Sequence, residues 1–195
     1  MKMNQNNQYL IQLIDLVAGY SQPVVGPLSL QVNPGEVIGI WGTNGCGKST
    51  ILKAIANTTH IFAGHIDKHP DLTISWQMQQ PVRLNEMPFS GHDYLYYAQA
   101  QRKSPPQRLV AWLNKRIDTL SGGQFQLLAV WAILGGNADL VLLDEPTNNL
   151  DPVGETILAD ILAAEQGHRS VLLVSHERAF LNQACNRVVK ISHEF

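Results

Sequence analysis

Long hydrophobic runs are missing from this chain of 195 residues. Its longest uninterrupted apolar stretches, such as residues 140–143 and 171–174, fall far short of the roughly 20 that cross a bilayer. Cysteine is nearly missing too. Cys46 and Cys185 are the only two, too few and too isolated for a disulfide framework or a zinc site, and both are expected as reduced thiols. The opening segment carries one lysine and a polar Asn/Gln run with no apolar core before a small-residue cleavage site. It does not read as an export signal, so a cytoplasmic location is expected. Charge of one sign is lacking as well: the net charge of -2 gives no general reason to bind nucleic acid. There is no internal repeat, which excludes a tandem architecture within the chain.

What is present suffices for one good core, since hydrophobic residues make up 45% of the chain. One domain is expected over residues 1–195. Short apolar runs at 37–41, 140–143 and 170–174 read as buried strands. They alternate with helical patterns at 49–56, 121–134, 153–165 and 178–184, which predicts an α/β fold with a parallel sheet covered on both faces. Residues 72–79 alternate apolar and polar, with the even positions facing a core. The polar, proline-rich and aromatic stretch that follows interrupts the alternation, with helical pieces predicted at 92–101 and 106–114. Residues 80–117 therefore read as a short helical insertion between core segments 1–79 and 118–195. Basic residues gather there: Arg83, Arg102, Lys103, Arg108, Lys115 and Arg116 stand against Glu86 and Asp93. A solvated helical surface or a docking face for a partner both account for this.

Three glycines crowd the turn between the strand at 37–41 and the helix that follows. Gly42, Thr43, Asn44, Gly45, Cys46, Gly47, Lys48, Ser49 and Thr50 fit the spacing Gly-x-x-x-x-Gly-Lys-Ser. A loop wraps a polyphosphate when its backbone N–H groups all point inward, and glycine tolerates the dihedrals this requires. The helix N-terminus adds partial positive charge, Lys48 reaches the terminal phosphates, and the Ser49 hydroxyl can ligate Mg2+. Because Cys46 lies in this loop, bulky alkylation of its thiol is expected to block nucleotide binding. A second glycine-rich helix start, Leu120-Ser121-Gly122-Gly123-Gln124, has Ser121 as N-cap and reads by the same logic as a second anion site.

At this pentapeptide the chain resembles the ATP-binding cassette (ABC) ATPases, whose signature it matches at all five positions. The resemblance runs from about residue 13 to 191. It implies a P-loop NTPase core, N-terminal antiparallel strands, and a short inserted helical subdomain. It implies ATP and Mg2+ as cofactors, hydrolysis of ATP, and a head-to-tail dimer, a homodimer for one chain type. In that arrangement the signature of one copy (Ser121, Gly122, Gly123, Gln124) binds the γ-phosphate held by the loop of the other. The remaining motifs follow in order. The apolar strand Leu140 to Leu143 runs into Asp144 and Glu145, where Asp144 holds Mg2+ and Glu145 polarises the attacking water. Buried carboxylates at such a position need a cation or proton partner in any case. The segment Asn148 to Asp151 matches the loop that crosses the dimer interface. His176 matches the switch histidine at the γ-phosphate. Gln79 matches the glutamine linking the Mg2+ and water site to the insertion, with Gln77 and Gln80 as competitors. Tyr20, twenty-two residues before Gly42, is placed to stack on adenine.

Departures from the family pattern are Leu127 and the pair Trp131-Ala132, where an arginine and Ala-Arg are usual, the short insertion, and the brief stretch of chain after His176. The resemblance implies the ATPase subunit of a membrane transporter, peripheral on the cytoplasmic face, with integral membrane permease subunits docking near residues 81–97 and no direct nucleic acid. Zinc or manganese import is one expectation, from Pro88 nine residues beyond Gln79. The alternative is a soluble translation-associated ABC ATPase acting on ribosomes, since Asp144 to Asp151 is similar to that group as well. Such proteins generally carry two cassettes, and a DNA-repair type would need a long coiled-coil insertion. His60, His65 and His69 are expected as loop bystanders.

Overall fold

The computed structural model describes residues 9–77, 88–100 and 103–192. In chain order the elements are β1 (Ile11–Gly19), β2 (Pro23–Val32), β3 (Val37–Trp41), α1 (Lys48–Ile55), β4 (His60–Lys68), β5 (Ile74–Gln77), α2 (Gly91–Tyr97), α3 (Gln107–Leu113), α4 (Gly122–Leu134), β6 (Leu140–Asp144), α5 (Pro152–Glu165), β7 (Ser170–Ser175), α6 (Arg178–Ala184) and β8 (Arg187–Lys190). They form two sheets. One is antiparallel, in the order β2-β1-β4, and the other is parallel, in the order β5-β6-β7-β3-β8.

The parallel sheet explains why its strands read as unbroken apolar runs. Successive side chains of a strand point to opposite faces, so a sheet covered on both sides needs both sets apolar. Val37, Val141, Leu143, Val171 and Leu173 enter a core with α4, α5 and α6. Their neighbours Ile38, Ile40, Leu140, Leu142, Leu172 and Val174 enter a second core, with α1 and the antiparallel sheet. Helix α1 is thus sandwiched between the two sheets, and the loop before it is held from both sides.

Two readings of the sequence need correction. His60 and His65 lie on β4, an edge strand of the antiparallel sheet, and not in a loop. The strand was hidden because most of its side chains are exposed and Gly64 breaks it, at a left-handed φ of 70° where any Cβ would meet the Ile14 and Asp15 carbonyls. Strand β5 is also less simply two-faced than its alternation suggests. Ile74 and Trp76 pack toward the second core, but Gln77 on the other face is buried as well.

Helix α4 accounts for the departures at Leu127, Trp131 and Ala132. Nine of its thirteen residues are buried, these three among them. The helix is apolar almost all round, as a helix at the centre of a layered core is. Side-chain packing replaces the polar contacts that the usual arginines would make. The N-terminus of α4 is a capping box, with the Ser121 hydroxyl accepting from the Gln124 N–H at 3.1 Å and the Gln124 side-chain oxygen accepting from the Ser121 N–H at 3.1 Å. Such a cap is worth about 1 kcal/mol.

Candidate functional site

Strands β3, β6 and β7 are neighbours and end level with one another: Trp41 pairs with Ser175, and Asp144 with Val174. The residues just past these ends, 42–49, 145 and 176, therefore meet at the carboxyl edge of the sheet, where open α/β sheets place their ligands. Gly47 caps α1 in the left-handed region at φ 91°, with Val25 only 2.6 Å from where a Cβ would stand. Glycine is required there on both counts. Thr43, Asn44 and Gly45 form the exposed rim, while Gly42, Cys46, Gly47, Lys48 and Thr50 are buried and Ser49 is half-buried.

The Lys48 ammonium donates to the Gly42 carbonyl at 3.0 Å and the Thr43 carbonyl at 3.2 Å, and stands 3.3 Å from Glu145 Oε1. It is curled into its own loop, balanced by a carboxylate. The other Glu145 oxygen lies 2.9 Å from His176 Nδ1. Glu145 itself takes a left-handed φ of 47°, a conformation that costs a non-glycine residue of order 1 kcal/mol and that concentrates at functional sites. The Ser49 hydroxyl donates to Asp144 Oδ1 at 2.8 Å. Burial holds the Asp144 carboxyl above its ordinary range; the charge of Glu145 adds to this, while the Ser49 hydrogen bond and the Lys53 and Lys48 charges oppose it. A hydroxyl and a buried, under-compensated carboxylate at hydrogen-bond distance are a donor pair suited to Mg2+, whose remaining positions phosphate oxygens and water fill.

Tyr20 stands outside this cluster, exposed, with its hydroxyl accepting from Lys53 at 2.7 Å and the Lys53 ammonium 5.1 Å from its ring centroid. Lys53 lies on α1, so the ring is tied to the helix that carries Lys48 and Ser49. The Ser121 end of α4 is not at this cluster. It opens instead onto a cavity of about 380 Å³, lined also by Trp112, Asn149, Leu150 and Asp151. The Gly122 Cα faces open space, and a Cβ on Gly123 would meet the Asn149 carbonyl at 3.2 Å. Asp151 is occupied locally, capping α5 by accepting from the Gly154 N–H at 2.7 Å. The sequence thus names two half-sites, and the chain does not bring them together on itself. Gln79 and Gln80 lie outside the described residues. Gln77 lies inside, buried, its amide without a hydrogen-bond partner among the described residues.

Trp112 was not singled out by sequence reasoning, and Asn149 only as part of the segment Asn148 to Asp151. Asn149 carries a signal in retrospect, since asparagine tolerates the left-handed φ of 66° found there. Nothing in the pattern around Trp112 distinguishes it from a core residue.

A phosphate-type loop, a buried acidic strand end and a serine-capped second helix that opens on two glycines are, on this fold, the parts of a nucleotide-binding cassette. The ABC transporter family model matches residues 25–148, well over half of the chain, and the protein belongs to that family, whose members are ATPases. Among curated relatives, the chain is 33% identical over 183 residues to a probable ATP-binding cassette sub-family F member 3 homolog of Encephalitozoon cuniculi, covering 92% of this chain and 33% of the relative. It is 30% identical over 179 residues to the zinc import ATP-binding protein ZnuC of Paracoccus denitrificans, covering 88% and 70%. It is 34% identical over 159 residues to the cytochrome c biogenesis ATP-binding export protein CcmA of Xylella fastidiosa, covering 73% and 71%. The chain thus spans about a third of the first relative and about 70% of the other two. The fold is similar to a solved ATP-binding subunit of an ABC transporter, with a TM-score of 0.77 at 23% identity over 94% of this chain and 86% of the other.

Proposed function

We propose that two copies of this chain, each a single cassette over residues 1–195 with its helical insertion at about 80–117, close head to tail on two ATP molecules and hydrolyse them to drive a membrane-spanning partner. The observation that carries this reading is the separation of the two half-sites. Lys48, Ser49, Asp144, Glu145 and His176 converge at one edge, while Ser121 and its two glycines face an open cavity elsewhere. A second molecule is the simplest source of what each half lacks.

In this reading Lys48 leaves the Gly42 and Thr43 carbonyls and Glu145 to reach the β- and γ-phosphates. The N–H groups of residues 43–50 cradle the same phosphates, with Tyr20 stacked on the adenine. Glu145, freed from Lys48, accepts a proton from the attacking water as that water aligns with the γ-phosphorus, and His176 holds the water and γ-phosphate in register. Ser49 and Asp144, with Gln79, would hold Mg2+, which would supply charge neutralisation to the phosphate oxygens. The partner's Ser121 cap and the N–H groups of Gly122, Gly123 and Gln124 face the opposite side of the γ-phosphate, with Asp151 beside the interface.

The membrane partner docks on the insertion. Phe89, Tyr96 and Tyr97 are exposed there and touch edge to face, with ring centroids 5.6 Å apart in both pairs. Exposed aromatics grouped in this way are typical of interface cores. No helix among the described residues is long and apolar enough to cross a membrane. A divalent metal ion is the cargo class that the Pro88 spacing and the zinc-import relatives favour.

Purification from detergent-solubilised membranes tests the reading. A multi-span membrane protein should co-purify with the wild-type chain and be lost with Tyr96→Ala/Tyr97→Ala, which should still bind ATP. Lys48→Ala should lose ATP binding. Co-sedimentation with ribosomes and no membrane partner would overturn the transport reading in favour of the translation-associated one, and unchanged ATP affinity in Lys48→Ala would overturn the site.

A further inference from the structure

Behind the switch segment, on the side of the sheet away from the nucleotide cluster, Trp41 forms the wall of a second pocket. It holds about 310 Å³ and is lined also by Arg178, Asn182, Cys185, Arg187 and Lys190. Two cations share its one indole: the Arg178 guanidinium carbon is 5.3 Å and the Lys190 ammonium 5.5 Å from the ring centroid. Cations at this distance are attracted by the ring's π face, but they repel one another, and one indole does not cancel two full charges.

Among the described residues, the groups around them leave that charge uncompensated. Arg187, on the same wall, is neutralised by Glu36 at 3.0 Å and also donates to the Gln31 carbonyl at 2.7 Å. Asn186 is spent on Val37 and Gln166. Among the described residues, neither Arg178 nor Lys190 forms an ion pair with a carboxylate. Glu177, adjacent in sequence to Arg178, has its carboxylate 4.0 Å from His176 instead. Burial pushes the Cys185 thiol up to about 12, so the pocket wall carries no thiolate to oppose an anion. What remains is a small pocket with two cations that no carboxylate pairs among the described residues, and the neutral amide of Asn182 at its rim.

We propose that this pocket is a binding site for a small tetrahedral oxyanion, free phosphate or the phosphate group of a small metabolite, gripped by Arg178 and Lys190 over Trp41. Its volume fits a small ligand, and two charges on so small a surface do not make a nucleic-acid track. The indole connects the pocket to the nucleotide cluster. Trp41 Nε1 donates to the His176 carbonyl at 3.1 Å, and the His176 ring lies 2.9 Å from Glu145. Trp41 also immediately precedes Gly42, whose carbonyl holds Lys48. An anion that reseats Arg178 and Lys190 on the indole therefore acts on both loops that flank the γ-phosphate. Binding itself does not depend on the catalytic assignments above.

The test loads the full chain with Mg2+ and a non-hydrolysable ATP analogue, so that the phosphate loop is filled, and titrates inorganic phosphate at constant ionic strength by calorimetry and by tryptophan fluorescence. The expected result is saturable binding with a dissociation constant on the order of 1 mM, as two partly exposed charge-assisted contacts sustain. Arg178→Gln/Lys190→Gln should weaken it at least about tenfold while leaving affinity for the ATP analogue unchanged, because both side chains lie outside the nucleotide cluster. Trp41→Phe should lose the fluorescence change and keep calorimetric binding. Absence of saturable heat in the analogue-loaded protein, or wild-type phosphate affinity in the double variant, overturns the proposal.

Discussion

Glu145→Gln separates two tasks of one carboxylate, holding Lys48 in the structure and facing the γ-phosphate in the proposed mechanism. The substitution keeps size and hydrogen bonding but removes the charge 3.3 Å from a lysine that is 6% exposed. Removing one partner of a buried pair costs about 3–5 kcal/mol when the other is stranded. Lys48 is not stranded, since two carbonyls still accept from it at 3.0 and 3.2 Å, so about 1–3 kcal/mol is the expected loss for the empty protein. For a chain of this size that lowers Tm by roughly 2 to 12 °C. The same substitution removes a competitor for Lys48 and a negative charge facing the phosphates, so ATP should bind up to about tenfold more tightly, equivalent to about 1.4 kcal/mol. Turnover should fall by about 10²–10⁴, the range for loss of a general base. Thermal melts with and without Mg-ATP, titration calorimetry and phosphate release measure the three effects on one preparation. Wild-type turnover, or weaker ATP binding together with an unchanged melt, would refute the reasoning, because the ion pair would then neither brace the empty site nor compete with the nucleotide.

Asp144→Asn should raise the Tm of the nucleotide-free protein at pH 7 and abolish Mg2+-dependent nucleotide binding. A carboxyl raised above its ordinary range binds protons more tightly folded than unfolded. Its effect is therefore to lose stability as pH rises from the unfolded value near about 3.9 through the folded one, and melts against pH should show that component in the wild type and not in the variant. Gly122→Ala should leave the fold intact or slightly stabilised, by up to about 1 kcal/mol, since no atom lies within 4 Å of the added methyl. In a Glu145→Gln background it should nevertheless prevent ATP-driven dimerisation on gel filtration, whereas Gly47→Ala should destabilise the monomer, because its φ of 91° and Val25 both oppose a side chain. Cys46 is 1% exposed, with its sulfur 2.5 Å from where a Cβ on Gly42 would stand. A bulky maleimide should therefore label it slowly in the native protein and rapidly in urea, and ATP should slow native labelling further.

The central parallel strands β3, β6 and β7 were legible because both of their faces are buried, which turns them into apolar runs that composition cannot disguise; the edge strand β8, exposed at both ends, was not read. Helix α6 was legible to the residue, and α4 began where a serine cap and two glycines said it would. Strand β4 was not, since an edge strand whose side chains mostly face water leaves no hydrophobic period to read. Strands β1 and β2 followed from family resemblance and not from their own pattern, which their register shifts blur. Within the site, the loop and strand-end motifs announce themselves because their chemistry is contiguous in sequence. The ion pair from Lys48 to Glu145 and the indole shared by Arg178 and Lys190 join residues that are far apart in the chain, and only the strand order brings them together.

That strand order has a thermal consequence. Because Gly42, Glu145 and His176 each follow directly from one of three adjacent strands with matched register, their spacing is a property of the sheet and not of three independent loops. Heating cannot disperse them without first parting β3, β6 and β7, so the temperature at which ATP turnover fails irreversibly should coincide with that at which the whole cassette melts.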